Sequence, residues 1–141
     1  MAENRNVEYD GIGAEYAPFE IDGVTITHDD DETGGSAQVG LAVTMTDDKE
    51  VGLTEDADPV KGILVSVEAD GRCLVQTGGY MELPKGSGAT YTLGGKLVGD
   101  LGAASAKGYV RGVNSAVAAE LAVARGEVID ESDADVVGAI L

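Results

Sequence analysis

Hydrophobic and polar positions alternate with a period of two over several short stretches of the chain. In VGLAVTMT, Leu41, Val43 and Met45 fall on one face and Ala42, Thr44 and Thr46 on the other. In VKGILVSV, Ile63, Val65 and Val67 oppose Leu64, Ser66 and Glu68. Alternation of this kind marks a half-buried strand, because successive side chains leave a strand on opposite faces. Turn chemistry separates the stretches. Asp47-Asp48 leads into KEVGL, and EADG leads into RCLVQTG, an Asp-Gly hairpin signal. ARGEVID, ESDA and DVVGAIL repeat the plan near the C-terminus. The pattern predicts strands near 20–27, 37–46, 60–68, 72–77, 79–83, 96–99, 108–113, 121–129 and 135–141. The alanine-rich NSAVAAELAVARG is the ambiguous stretch. Alanine favours helix, and Asn114 or Ser115 can cap one over 115–122, while pairing with a neighbour would make it strand.

Nine strands and at most one short helix predict a mainly β protein, a compact antiparallel β-barrel or sandwich built of hairpins. Residues 1–18 have little periodicity and hold Pro18, so they are expected to form an extended N-terminal arm ahead of a single β-domain over 19–141. The Gly-, Ser- and Thr-rich segment 83–95 is expected to be an exposed loop.

Charge changes the picture most. The chain has 141 residues, with 26 acidic against nine basic ones and a formal net charge of −17. Phosphate binding needs clustered Lys and Arg, so nucleic acid is not an expected partner. Disordered chains combine high charge with low hydrophobicity, whereas here 43% of residues are hydrophobic. A folded domain this acidic repels itself in dilute buffer, and the ~3 Å Debye length of molar salt screens most of that repulsion. The acidic excess, five lysines and six aromatic residues predict a protein of a halophile. No stretch approaches the ~18 apolar residues of a membrane span, and the polar start MAENRNVEYDG gives no reason to expect a secretory signal.

Candidate chemistry is sparse. His28 is the only histidine and stands in THDDDETGG, with Asp29, Asp30, Asp31 and Glu32 beside it. The run lacks the spacing of a calcium loop and matches the other acidic turns, so it is expected to be solvated surface and no metal is assigned. Cys73 is the only cysteine, which excludes an intrachain disulfide, and a buried structural thiol is the expected role. There is no G-x-S-x-G elbow and no phosphate-cradling G-x-x-x-x-G-K-[ST]. No catalytic residue and no cofactor are assigned, and no enzyme is expected. Interfaces favour Tyr, Met and Arg. Tyr80, Met81, Tyr109 and Arg111 on strands, with Tyr9 and Tyr16 on the arm, are therefore candidate contacts, set against ordinary core roles for Tyr80, Met81 and Tyr109.

The segment from Glu55 to Asp100 and the closing RGEVIDESDADVVGAIL carry a family pattern. It consists of Asp58-Pro59-Val60-Lys61-Gly62-Ile63 entering a hairpin, Gly79-Tyr80-Met81-Glu82-Leu83-Pro84 at a strand end, and Gly95-Lys96-Leu97-Val98 after a glycine-rich loop. This pattern resembles the capsid decoration, or cement, proteins of tailed viruses over about residues 56–141. The resemblance implies a non-enzymatic virion protein on the outer capsid surface that clamps major capsid protein subunits, with a homotrimer as its assembly. The acidic surface departs from the family and, joined to the resemblance, implies a virus of a halophilic archaeon. Residues 19–55 fit the pattern less well. On that reading Asn4 to Tyr9 would add a strand to a capsid sheet edge, with Asn4, Arg5, Val7 and Tyr9 in contact with the shell. A small ligand- or cation-binding β-barrel of a halophile, or a turret or tail component, is the alternative.

Overall fold

The computed structural model describes Tyr9 and residues 11–141. In chain order its strands are β1 Glu15–Ile21, β2 Ala42–Asp47, β3 Glu50–Leu53, β4 Gly62–Val67 and β5 Arg72–Gly78, then β6 Tyr80–Pro84, β7 Leu97–Asp100, β8 Tyr109–Gly112, β9 Glu127–Asp130 and β10 Val136–Ile140. Among the described residues one α-helix, α1, spans Ala118–Val123. The first five strands close into a barrel in the order β1-β3-β2-β4-β5; β6, β10 and β9 form one further sheet, and β7 and β8 another. The protein is thus mainly β, with hairpins as its building unit and one short helix. The β1–β3 pair, Glu20↔Glu50 and Ile21↔Val51, runs parallel, whereas the other ladders are antiparallel.

Two apolar cores are held in this arrangement. Val43, Val51, Leu64, Cys73 and Val75 fill the barrel, and Met81, Leu83, Leu97, Val110 and Val137 fill the space between the outer sheets. β2 lies between them: Val43 belongs to the barrel core and its neighbour Ala42 to the second core, both fully buried. A strand covered on both faces has no polar face, which explains why Thr44 is buried as well. Met45, expected beside Val43, is exposed instead, although its ladder partner Val51 is fully buried in the barrel core.

Four departures from the sequence expectation have local causes. Residues 15–18 are not arm but the start of β1, paired to β5 from Glu15↔Gly78 onward. Pro18 is tolerated there because β1 meets β3 only at Glu20 and Ile21, so the missing N–H faces no partner. The strand expected over 20–27 ends at Ile21, where Asp22 takes over the chain: its Oδ1 accepts the N–H groups of Val24, Thr25 and Ile26. In β4, Val65 is skipped by the ladder, which steps from Leu64↔Val75 to Ser66↔Leu74. This bulge puts Leu64 and Val67, not Ile63, Val65 and Val67, on the buried side. The strand expected over 121–129 begins only at Glu127, since the alanine run before it is helical.

Arg125, between α1 and β9, ties its segment to the barrel at the entry to β4 and on β5. Its Nη1 donates to the carbonyls of Val60 and Lys61 at 3.2 and 3.0 Å, and its Nη2 to Thr77 at 3.1 Å.

Candidate functional site

The chain's exposed aromatic side chains gather where the N-terminal segment crosses the outer face of β6 and β10. The crossing is possible because Gly79 has no side chain. Its φ is +87°, and a Cβ there would stand 2.5 Å from the Ile12 carbonyl oxygen and 2.6 Å from the Ala14 nitrogen. The Tyr80 N–H then donates to the Ile12 carbonyl at 3.0 Å, and Gly79 and Leu141 exchange two backbone hydrogen bonds of 3.2 and 3.1 Å. Gln76 fixes the same corner, its amide nitrogen donating to the carbonyls of Gly78 at 3.1 Å and Tyr80 at 2.9 Å. Both termini of the β-domain therefore meet at one junction.

A second glycine sets the aromatic ring. Strand register places Tyr80 opposite Ile140 and Glu82 opposite Gly138. The Tyr80 ring lies across Gly138, where a Cβ would come within 2.5 Å of the phenol oxygen. Tyr9 stacks on Tyr80 with ring centroids 5.4 Å apart and planes at 30°, a contact of about 0.5–1.5 kcal/mol beyond simple burial. Tyr16, Ile63, Tyr80, Met81 and Glu82 line an adjoining hollow of about 270 Å³. Around it Tyr16 is 55% exposed and Ile12 50%; Tyr9 and Ile140 also reach solvent. Glu15 beside Gly78, Glu82 opposite Gly138 and Glu127 opposite Ile140 give the cluster an acidic rim.

The structure thus brings together three of the candidate contacts, Tyr9, Tyr16 and Tyr80. Met81 is beneath them, 3% exposed and part of the second core, so its side chain offers nothing to a partner. Alternation along β6 sends it inward as it sends Tyr80 outward. Tyr109 and Arg111 are on the β7–β8 sheet, away from this face. The Tyr109 ring packs over Gly102. Arg111 is engaged within the chain: Nη1 and Nη2 donate to the two Glu120 oxygens at 2.7 and 3.0 Å, and Nε to Asp56 at 2.9 Å. Asn4, Arg5 and Val7 lie outside the described residues. Ile12, Ile140, Gly79 and Gly138 were not among the sequence candidates. A glycine inside a strand signals the close approach of other atoms, and that was the legible sign at Gly138.

Elsewhere the reactive groups are held in structural roles. Burial pushes the Cys73 thiol up to about 11, so almost no thiolate exists at neutral pH. His28 Nε2 stands 3.4 Å from the exposed carboxylate of Asp30, and Asp29 accepts the Asp31 N–H at 3.0 Å as a turn former. Among the described residues no three His, Cys, Asp or Glu side chains converge as a metal-holding group. The Arg111 hydrogen bonds, then the Asn114 N–H, hold the Glu120 carboxyl below its usual range, and Glu120 in turn raises Arg111. Compared with family models, curated proteins and solved structures, the chain finds no match.

Proposed function

We propose that the chain is a structural virion protein that binds the outer surface of an icosahedral capsid and stabilises it by holding major capsid protein subunits together, in a virus of a halophilic host. The observation that carries this reading is the stack of exposed Tyr9 on half-buried Tyr80, with exposed Tyr16, Ile12 and Ile140 around it. Rigid tyrosines with apolar neighbours and a charged rim have the composition of an interface centre, where a few aromatic anchors supply most of the affinity. A molecule of net charge −17 gains no solubility from leaving such a cluster in water. The motifs of residues 56–141 that resemble decoration proteins include the Gly79–Pro84 strand on which the cluster is built. The rival reading, a ligand held inside the barrel, is disfavoured by a barrel filled with its own Val43, Val51, Leu64 and Val75 side chains.

The test is quantitative mass spectrometry of purified particles together with rebinding of variants. The expected copy number is a fixed ratio near one per major capsid subunit. Tyr80→Ala with Tyr16→Ala is expected to weaken rebinding to stripped particles by roughly tenfold or more, as loss of anchor residues does, with cooperative unfolding retained. Absence of the protein from particles, or full occupancy by the double variant, would overturn the proposal.

A further inference from the structure

Helix α1 is carried on a stretch of chain that is fastened to the body at its two ends and at one point between them. β8 ends at Gly112, opposite Leu97 on one edge of β7, and Arg125 pairs with the same Leu97 on the other edge. The Val113 N–H donates to the Lys96 carbonyl at 3.0 Å, and Leu97 and Arg125 exchange backbone hydrogen bonds of 2.8 and 3.1 Å. Residues 114–124 therefore leave and return about 10 Å apart, two strand spacings, as a strap across the start of β7. A surface excursion of this length with neighbouring ends has the form of an Ω-loop.

Between its ends a single side chain holds the strap. None of its residues belongs to either apolar core. Val117, Leu121 and Val123 are 38%, 45% and 36% exposed, and Glu120 is the buried residue of α1. An ordinary surface helix does the reverse. The strap's other hydrogen bonds close on themselves: Asn114 accepts the N–H groups of Ala116 and Val117, Val117 those of Glu120 and Leu121, and Glu120 those of Asn114 and Ala124. Among the described residues, the hydrogen bonds that join 114–124 to the body are the two from Arg111, whose Nη1 and Nη2 donate to the Glu120 carboxylate at 2.7 and 3.0 Å. Arg111 is braced from behind by Asp56.

We propose that residues 114–124 are a latched strap that opens as one unit while both cores stay closed, with the Arg111–Glu120 pair as the latch. Closing orders eleven residues and brings none of their apolar side chains into a core, so little hydrophobic burial offsets the lost chain entropy. The charge-assisted, bidentate pair has to do so. Opening leaves β7 in place, because the fastenings at Lys96 and Leu97 lie outside the strap. It sends Glu120 into water and leaves Arg111 with Asp56 and the Gly112 carbonyl. It also withdraws Asn114 and Ser115 from a hollow of about 510 Å³ that they wall together with Ser87, Thr90 and Asp100. This face of the molecule thus has two forms, one with the guanidinium fully engaged beside a walled hollow, the other with the guanidinium half released and the hollow open. Moving segments are drawn from the least stable parts of a fold, and one ion pair sets the balance here.

The test is native-state hydrogen exchange on the full chain in molar KCl, read at the amides of Val117, Glu120, Leu121 and Ala124 and at those of β6 and β10. The strap amides are expected to exchange roughly a hundredfold or more ahead of the strands. Low denaturant should barely change their rate, since opening exposes little surface. Glu120→Ala keeps the helical preference of the run and is expected to speed the strap amides by roughly tenfold or more, while β6 and β10 remain protected. Glu120→Gln, which retains one acceptor for the fork, should fall between. A second variant replaces residues 114–124 with about four Gly and Ser residues, enough to cross the gap at ~3.3 Å per residue, and is expected to unfold cooperatively with both cores intact. Strap amides that exchange only together with β6 and β10, with the same denaturant dependence in wild type and Glu120→Ala, would overturn the proposal, and so would a linker variant that does not fold. No capsid enters these measurements, so either result is independent of whether the aromatic face binds particles.

Discussion

Arg125 shows how much one side chain can hold. Its guanidinium reaches three carbonyls, two at the entry to β4 and one near the end of β5, and so fastens the segment between α1 and β9 to the barrel. Removing it leaves half-buried acceptors without donors, which costs about 1–3 kcal/mol for the first such group and less where water can enter. Arg125→Ala is therefore expected to destabilise the protein by about 2–3 kcal/mol in chemical denaturation. Arg125→Lys should recover only part of the loss, since one ammonium cannot span a planar fork of donors. Equal stability for Arg125→Lys and wild type would show that charge alone suffices. Nothing in the sequence marks Arg125 for this task, because its partners are backbone atoms as many as 65 positions away. The aromatic cluster was more legible. Tyr9, Tyr16 and Tyr80 stand out in a chain with six aromatic residues, but their meeting point depends on Gly79 and Gly138, whose role only the register of β6 against β10 reveals.

At the scale of elements, strand alternation told where the chain turns and left open which face is covered. β2 was read as one buried and one polar face, yet Ala42 and Val43 enter different cores. A second core has no local signature, since it is made by β6 to β10, which follow later in the chain. Likewise the bulge at Val65 exchanges faces midway along β4, and the alternating letters around it cannot show that one residue is skipped. The alanines left helix and strand both open over 115–122; the structure makes Ala118–Val123 helical and turns Glu120 inward, which no local sign could show, because the Arg111–Glu120 pair that imposes it spans nine positions and two elements. The shared strand makes a mechanical prediction. If β2 couples the two cores, damage to one must loosen the other. Leu83 is fully buried in the second core, and Leu83→Ala is expected to cost about 2–5 kcal/mol. Cys73 reports on the barrel core, where it is 3% exposed. Its labelling by a thiol reagent, limited by opening of the barrel, should accelerate roughly a hundredfold for ~3 kcal/mol, at about 1.4 kcal/mol per factor of ten. An unchanged labelling rate would mean that the two cores open independently.

For the molecule as a whole, carboxylates act in two opposite ways. Collectively they impose a net charge of −17, whose self-repulsion opposes the compact state. Individually several of them build the fold. Burial raises the proton affinity of Asp22, but the Thr25 hydroxyl and the N–H groups of Ile26, Val24 and Thr25 outweigh it and hold the group below its ordinary 3.8. Hydrogen bonds from Ser132 lower Asp130, and those from Arg111 lower Glu120 below its ordinary 4.5. A folded-state value below the unfolded one means that the unfolded chain takes up protons first as pH falls. The stability these groups supply is then fully present above the ordinary carboxylate values and is lost as pH drops through the lowered folded values. Salt separates the two roles. At about 3 M KCl the long-range repulsion is screened, while bonded groups at 2.5–3.1 Å are screened far less. The melting temperature at neutral pH is therefore expected to rise steadily from about 0.2 M to 3 M KCl. In the high-salt solution it should hold steady down to the unfolded carboxylate range near 4.5 and 3.8 and fall below it. In dilute buffer the same acidification also discharges the surface, so the fall should be smaller or begin later. Melting curves over this grid of salt and pH check both signs. A stability that declined with added salt would remove the halophilic reading, and an acid limb equally steep in both salts would show that specific bonded carboxylates, not surface charge, govern the response to pH.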